Sequence, residues 1–336
     1  MAPMISCGIT QLFHFQLMSK IIIGVDIAKL KFDVARFSEG KYHHKKFDNN
    51  VPGFMAFCSW LSHFGDDKPL ICMEATGTYS HALAEYLVEQ GYPVSVVNPA
   101  KIHAFAKSEL SRVKTDKADA KLIARYALTM QPALWMPPPR NIRHLQVLLR
   151  RIEHLLAIQQ MESNRLDTAD AAIVESIKSV LATVEQELKA TREQIRNDIN
   201  NDPDLKQRHD LLISIPGVGA ALAAHLLTAL SEHHGFRDAH QAVAYTGLAP
   251  VIQQSGKWVG KTKIAKSGDP TLRKALYMPA LVAWRHNPLI RPFCEKLRAN
   301  GKNGKAIACA AMRKLIILAF AILKSGKPFD PNFALA

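Results

Sequence analysis

Apolar and polar positions in the first hundred residues follow two different periods. Residues 21–37 and 41–49 alternate as three strands, of which the first is the apolar run IIIGVDI. Helical spacing in GFMAFCSWLSHF and in SHALAEYLVEQG alternates with two further buried strands, PLICMEATG and YPVSVVNP. Three strands followed by helix, strand, helix and strand predict an α/β sheet of mixed direction.

The middle of the chain is predicted to be helical. SRVKTDKADAKLIARYAL predicts a helix from about Thr115, and the three prolines of QPALWMPPPR cannot continue it. About 60 residues that are nearly free of Gly and Pro follow, and they predict a long helical hairpin or coiled coil suited to self-association. The apolar stripe of this segment consists of Ile173, Ile177, Val180, Val184, Leu188 and Ile195.

The last third is also mainly helical. LLISIPGVGAALAAHLLTAL predicts two helices joined by a Pro-Gly-x-Gly turn, which resembles a helix-hairpin-helix element whose amides can bind a phosphate. A glycine turn between two packing helices explains the same pattern equally well. Residues 236–336 predict further helices and one loop rich in Gly, Lys and Ser, QQSGKWVGKTKIAKSGDP. The apolar run LIILAFAIL is too short to span a bilayer and predicts a core helix.

Positive charge is confined to one end of the chain. The net charge is +14, and residues 251–336 hold sixteen Lys and Arg against three Asp and Glu. This surplus predicts a partner with a phosphate backbone at the C-terminal quarter. A generically soluble surface is the alternative, and it does not explain why the charge is so localised.

The expected compartment is a reducing cytoplasm and not a membrane. The five cysteines form no Cys-x-x-Cys pair and no zinc spacing, which fits a reducing environment. Residues 1–17 lack the basic start and apolar centre of a signal peptide, and Met18 opens a more natural beginning. We therefore expect residues 1–17 to be a disordered or non-native extension.

Four carboxylates form the main candidate site. Asp26 and Glu74 each end a buried strand, and Asp116 and Asp119 lie three residues apart on one helix face. Together they could ligate two Mg²⁺ ions, a hard cation that prefers oxygen and activates water or a hydroxyl for attack on a phosphodiester. Strand ends plus a helix pair are a ribonuclease H-like pattern.

Each of these acids also has an ordinary structural explanation. Asp26 could cap a turn, Glu74 could cap the following helix, and Asp116 and Asp119 could form solvated pairs with neighbouring lysines. GVDIAKLKFDVA also resembles the first phosphate loop of actin-like sugar kinases. Those enzymes need a second Asp-x-Gly loop and an adenosine motif, and neither is present in this sequence.

Eight segments, in order and spacing, resemble the DEDD transposases of bacterial insertion sequences, the one-ten family. The likeness covers residues 18–330. The segments are GVDIAK, MEATGTY, VVNPAKIHAFAKSE, KTDKADAKLIA, SIPGVGAALAAHLL, VAYTGLAP, QQSGKWVGKTKIAKSGDPTLRKALYMPAL and NGKNGKAIACAAMRKL.

The resemblance implies a fold in three parts. They are an α/β ribonuclease H-like (RuvC-like) catalytic domain over 18–135, a coiled-coil helical spacer over 140–202, and a mainly α-helical transposase domain over 206–336. It assigns the family's acidic positions to Asp26, Glu74, Asp116 and Asp119, which hold Mg²⁺, expected as two ions that Mn²⁺ can replace. It assigns the nucleophilic serine to the Ser-Gly pair at Ser255, with Ser267 as the alternative register.

The resemblance also implies a place in the bacterial cytoplasm, in association with the nucleoid, and it implies partners. They are donor and target DNA, a non-coding bridge RNA encoded beside the gene, and further copies of the chain in a dimer to tetramer. The expected nucleic-acid contacts are the basic residues Lys257, Lys261, Lys263, Lys266, Arg273, Lys274, Lys302, Lys305 and Arg313.

The sequence therefore predicts an RNA-guided, Mg²⁺-dependent DNA recombinase that works through a phosphoserine intermediate. Two other hypotheses remain open. One is a metal-dependent junction nuclease that uses water and leaves Ser255 idle, and the other is a nucleic-acid-binding protein without catalysis.

Overall fold

The computed structural model describes residues 21–38, 41–64, 68–110, 115–256, 258–260, 263–265 and 267–332. The chain divides into two compact units, and the division follows Pro137, within the predicted proline boundary. The expectations for residues 1–17 and for Lys257, Lys261 and Lys266 lie outside the described residues.

The first unit contains a five-stranded sheet in the order β3-β2-β1-β4-β5. β1, β4 and β5 are parallel, whereas β2 and β3 are antiparallel to their neighbours. The sheet is therefore of mixed direction, as predicted. The elements are β1 (Ile22–Ile27), β2 (Lys31–Ser38), β3 (Lys41–Asp48), α1 (Val51–Leu61), β4 (Leu70–Glu74), α2 (Thr78–Glu89), β5 (Val94–Val97), α3 (Pro99–Ser108) and α4 (Asp116–Met130).

Helices cover both faces of this sheet. α1 and α2 pack on the face that carries Ile23 and Val25 of β1. α3 and α4 pack on the opposite face, where Ile22 and Cys72 contact Ile123. Successive side chains of a strand point to opposite faces, so the second face also carries the even-numbered residues of β1 and β4.

The second unit begins with a pair of long helices. Leu155 of α5 packs with Val184 and Leu188 of α6, which forms the predicted helical hairpin within one chain. Ile173 and Val180 of the predicted stripe are exposed. The helices are α5 (Arg140–Leu166), α6 (Ala171–Asn201), α7 (Pro203–Ile213), α8 (Ala220–Ala229), α9 (Ala239–Tyr245), α10 (Pro270–His286), α11 (Ile290–Ala299) and α12 (Gly304–Ser325).

The core of this unit is built around α12. The helix is longer than its apolar run predicted, and by length and composition it could cross a membrane. However, Ile307, Leu315 and Ile316 are buried in one cluster with Leu145 and Leu276. This packing agrees with the predicted role of a core helix.

The glycine turn between α7 and α8 is also part of this core. A side chain at Gly217 would meet Ala283 of α10, and Gly217 has a φ of 102°, a conformation that favours glycine. Asn287 Nδ2 donates a hydrogen bond to the Pro216 carbonyl over 3.1 Å. The turn therefore has a packing role, and phosphate binding by its amides stays a prediction.

The predicted Gly/Lys/Ser-rich loop contains secondary structure that the sequence did not predict. Two short ribbons pair β6 (Pro250–Val251) with β9 (Lys263–Ile264) and β7 (Gln254–Ser255) with β8 (Trp258–Val259). Each strand has two residues, which is too short to produce an alternating pattern.

Candidate active site

Gly24 allows α4 to lie directly on β1. A methyl group at Gly24 would overlap the backbone of Ala120 and Ala124. Thr115 caps the helix by accepting a hydrogen bond from the Ala118 amide over 3.2 Å, so α4 begins at Asp116. The close approach and the cap together bring the first turn of α4, with Asp116 and Asp119, to the end of β1.

Asp26 and Glu74 lie on the face of the sheet that α4 covers. β1 and β4 are parallel, and Val25 pairs with Met73. The next residue on each strand is therefore Asp26 or Glu74, and both point to the α4 face. All four predicted carboxylates thus converge at one end of the sheet.

The electrostatics of Asp26 support this convergence. Its pKa is raised to about 6, first by burial and then by the charges of Asp119, Asp116, Glu74 and Asp33, in that order of importance. At neutral pH the ionised form of Asp26 is therefore unfavourable in free energy, because its charge is partly buried and is repelled by the neighbouring carboxylates. A bound cation would remove that cost.

The four side chains offer the type of donor atom that a hard cation prefers. Their donor atoms are carboxylate oxygens, the ligands that Mg²⁺ prefers. Within the described part of the chain, no three acidic, histidine or cysteine side chains are already close enough to hold an ion. Ligation by three or more of the carboxylates would therefore require them to move together from the positions they adopt here.

The structure also bears on the capping alternatives. Asp26 pairs with Asp33 within the β1–β2 ladder and does not lie in the turn. Gly77 holds the N-cap position of α2, so Glu74 lies outside it. Asp116 Oδ2 accepts a hydrogen bond from Lys31 Nζ over 3.0 Å, a partner from another element and not from its own helix.

A fifth carboxylate, that of Asp33, lies near the site and was not predicted from the sequence. Its side chain is 2% exposed and lies opposite Asp26 on the α4 face. His44 Nε2 is 2.7 Å from Asp33 Oδ1, and Lys46 Nζ is 3.5 Å from the same oxygen. Period two in the predicted second strand places Asp33 on the same face as Ala35 and Phe37, but only the β1–β2 register places it opposite Asp26.

Ser255 lies on the β7–β8 ribbon of the second unit. It pairs with Trp258 across the hairpin, and the following Gly256 has a φ of 55°. Ser255 and Gly256 are exposed, and open space surrounds Gly256. A nucleic-acid backbone could therefore approach this serine closely.

Ser267, the alternative serine, has different surroundings. It is exposed, but a side chain at the next residue, Gly268, would overlap the backbone of Tyr245 and Gly247. Asp269 then caps α10 by accepting hydrogen bonds from the Thr271 and Leu272 amides. The Gly-Asp-Pro sequence at this point is thus explained by the start of a helix.

The basic residues that were predicted to bind nucleic acid, and that the structure describes, differ in their exposure and in their contacts within the protein. Lys263, Lys302 and Lys305 are exposed, and Arg313 is half-buried. Lys274 Nζ is 3.6 Å from the Glu153 carboxylate. Arg273 Nη1 donates to the Thr246 carbonyl over 2.9 Å, which gives this residue a structural role that the sequence did not predict.

Comparison with protein families defines the class of protein. Residues 23–169 match a family model of DEDD, IS110-type transposases. Residues 209–295 match the model described as the transposase IS116/IS110/IS902 family. The chain is therefore a transposase, a protein that cleaves and rejoins DNA, and DNA is its partner.

Full-length relatives agree with these matches. A pilin gene-inverting protein of Moraxella bovis is 36% identical over 317 residues, which cover 93% of this chain and 98% of the relative. The transposase for insertion sequence element IS1328 of Yersinia enterocolitica is 24% identical. The matched region covers 92% of this chain and 98% of the length of that relative. The chain belongs to the IS110 family of insertion-sequence transposases.

Proposed function

We propose that this transposase cuts and rejoins DNA through a covalent phosphoserine intermediate on Ser255, assisted by divalent metal at Asp26, Glu74, Asp116 and Asp119. The observation that carries the proposal is the convergence of four carboxylates, three of which raise the pKa of the fourth, at one end of the sheet. Such a site would serve a transposase, because phosphodiester exchange develops negative charge that cations stabilise.

The chemistry at Ser255 is a transesterification. The Ser255 Oγ attacks phosphorus, the bond from phosphorus to the 3′ oxygen breaks, and the serine proton is lost while the 3′ oxygen gains one. One ester bond replaces another, so no external energy source is required and the released 3′ hydroxyl can attack a phosphoserine to rejoin strands. A serine hydroxyl is a weak nucleophile, so activation is needed.

The four carboxylates are the residues that would hold Mg²⁺, with Mn²⁺ as a substitute. When bound, the ion would neutralise charge on the phosphate and on the leaving oxygen. The acids belong to the first unit and Ser255 to the second. This division is compatible with the proposed tetramer, in which the two halves of one active site come from different copies of the chain.

The remaining parts of the proposal concern the binding partners and the cellular compartment. A bridge RNA encoded by the element would pair with donor and target DNA, and the basic C-terminal residues would bind phosphates of these nucleic acids. The exposed Ile173 and Val180 on the helical hairpin are suitable for self-association. The compartment would be the bacterial cytoplasm.

A denaturing gel tests the nucleophile. Wild-type protein incubated with labelled substrate DNA, guide RNA and Mg²⁺ should yield protein covalently attached to DNA. Ser255→Ala should form no adduct and should not recombine, while Ser267→Ala should form adduct. Nicking without adduct by Ser255→Ala would instead support the water-using junction nuclease.

A further inference from the structure

Lys31 connects two carboxylates that come from different elements of the first unit. It is the first residue of β2, and its Nζ is 3.0 Å from Asp116 Oδ2 and 3.9 Å from Asp33 Oδ2. Asp116 is one of the four carboxylates assigned to metal binding, whereas Asp33 is the additional buried acid.

Asp33 is a fixed anchor for this lysine. Its side chain is buried within the β1–β2–β3 ladder, and His44 and Lys46 hold its Oδ1. Lys31 therefore extends from a rigid strand toward Asp116, and the ammonium is kept at the rim of the acidic site by a carboxylate on either side.

The contact between Lys31 and Asp116 is exchangeable. The two side chains are 44% and 55% exposed, and an ion pair in that environment contributes little to stability. A divalent cation that binds Asp116 competes with the ammonium for the same carboxylate. The ammonium and a divalent cation at one carboxylate repel each other, which favours release of the singly charged ammonium.

We propose that Lys31 is the internal counter-cation of the acidic site: it pairs with Asp116 before metal binds and, once displaced, pairs with a phosphate of the DNA. The inference rests on the proposed function, since it takes Asp116 as a metal ligand. Lys31 is then a positioning residue that balances the charge of the site in its metal-free state and contributes a positive charge at the substrate.

Metal affinity tests the first half of this inference. Mn²⁺ binding to the full-length protein without DNA is measured by electron paramagnetic resonance for wild type, Lys31→Gln, Lys31→Arg and Lys45→Gln. Lys31→Gln should bind Mn²⁺ about fivefold more tightly, because a competing charge is removed. Lys31→Arg keeps the charge and should stay within about twofold of wild type.

Lys45→Gln is the matched control. Lys45 is on the same β2–β3 hairpin, but its Nζ lies over the rings of Phe47 and Trp60, on the face opposite the acids. Its variant should bind Mn²⁺ like wild type. Unchanged or weaker binding by Lys31→Gln would overturn the inference.

Asp119→Asn separates the inference from the proposed function. If this variant binds Mn²⁺ like wild type, the proposed metal site itself is wrong. If Asp119→Asn loses binding while Lys31→Gln is unchanged, only the role of Lys31 is wrong.

Adduct formation at saturating Mn²⁺ tests the second half. Lys31→Gln should form the DNA adduct roughly tenfold more slowly than wild type, and Lys31→Arg should recover most of the rate, since one phosphate contact is lost and restored. A normal rate in Lys31→Gln would contradict the phosphate contact.

Discussion

At Asp26, burial of the carboxylate and repulsion by neighbouring carboxylates both disfavour ionisation. Asp26 lies inside β1, opposite the buried Asp33 and beneath the first turn of α4, and its pKa is raised to about 6. The folded protein therefore retains a proton on Asp26 at pH values where the unfolded chain has lost it. Asp26 consequently makes a contribution that lowers the stability of the metal-free protein as pH rises from about 4 to about 6.

Replacing Asp26 by Asn should remove this loss. Above pH 6 the metal-free Asp26→Asn variant should melt at a higher temperature than wild type, because the penalty for the buried charge is absent. The difference should shrink toward pH 4, where wild-type Asp26 is protonated. Thermal melting in a chelator between pH 4 and 7.5 measures it. A variant that is less stable at every pH would contradict the account.

The residues of the candidate site differ in whether the sequence alone could identify them. Asp26, Glu74, Asp116 and Asp119 fall in motifs with a fixed order, so they could be predicted. Asp33 and Lys31 could not be assigned a role, because their importance depends on the pairing register of β1 and β2 and on the position of α4. Register is a property of the folded sheet and not of any short motif.

At the scale of elements, the contact between β1 and α4 sets the geometry of the acids. Gly24→Ala should force α4 away from the sheet, since the added methyl overlaps the helix backbone. We expect a loss of about 1–3 kcal/mol in the free energy of unfolding. DNA adduct formation should fall by more than the unfolded fraction explains, because Asp116 and Asp119 move away from Asp26.

The control for this change is another glycine. Gly304 lies at the start of α12 with open space around its Cα, so Gly304→Ala should leave stability and adduct formation close to wild type. Melting temperature and adduct yield are compared well below the melting temperatures of both variants. Normal adduct yield in folded Gly24→Ala would show that the β1–α4 distance does not control the site.

Elements with a strong period were predicted well, and short ones were not. The order of strands and helices in the first unit and the long hairpin of α5 and α6 agree with the apolar pattern. The ribbons β6–β9 and β7–β8 escaped prediction because two-residue strands have no period and their pairing depends on turns such as that at Gly256.

At the scale of the whole molecule, the positive charge lies on a different segment of the chain from the candidate metal-binding acids. The surplus of Lys and Arg lies in residues 251–336, whereas the acids lie in the first unit. Deleting the basic segment would not isolate its contribution, because Leu276 and Leu315 from this segment are part of the core. Substitution of exposed charges is the cleaner experiment.

Nucleic-acid binding should depend on two exposed lysines at the start of α12, Lys302 just before the helix and Lys305 in its first turn. Lys302→Gln with Lys305→Gln should reduce the slope of log affinity against log salt by up to about 2 for duplex DNA, since each lost phosphate contact removes about one unit. The matched double variant is Lys178→Gln with Lys206→Gln, two exposed lysines outside the basic segment. Fluorescence anisotropy over a salt series measures the slopes. Equal slopes for both double variants would contradict a localised basic surface.

The central claim is that Ser255 forms a covalent bond to DNA with the help of the carboxylates. Mass spectrometry of a protease digest of the trapped protein–DNA adduct tests it most directly, because it identifies the modified residue. The account predicts a phosphodiester-linked nucleotide on the peptide that contains Ser255, and no adduct from Asp119→Asn. Attachment to Ser267, or DNA cleavage without any modified serine, would contradict it.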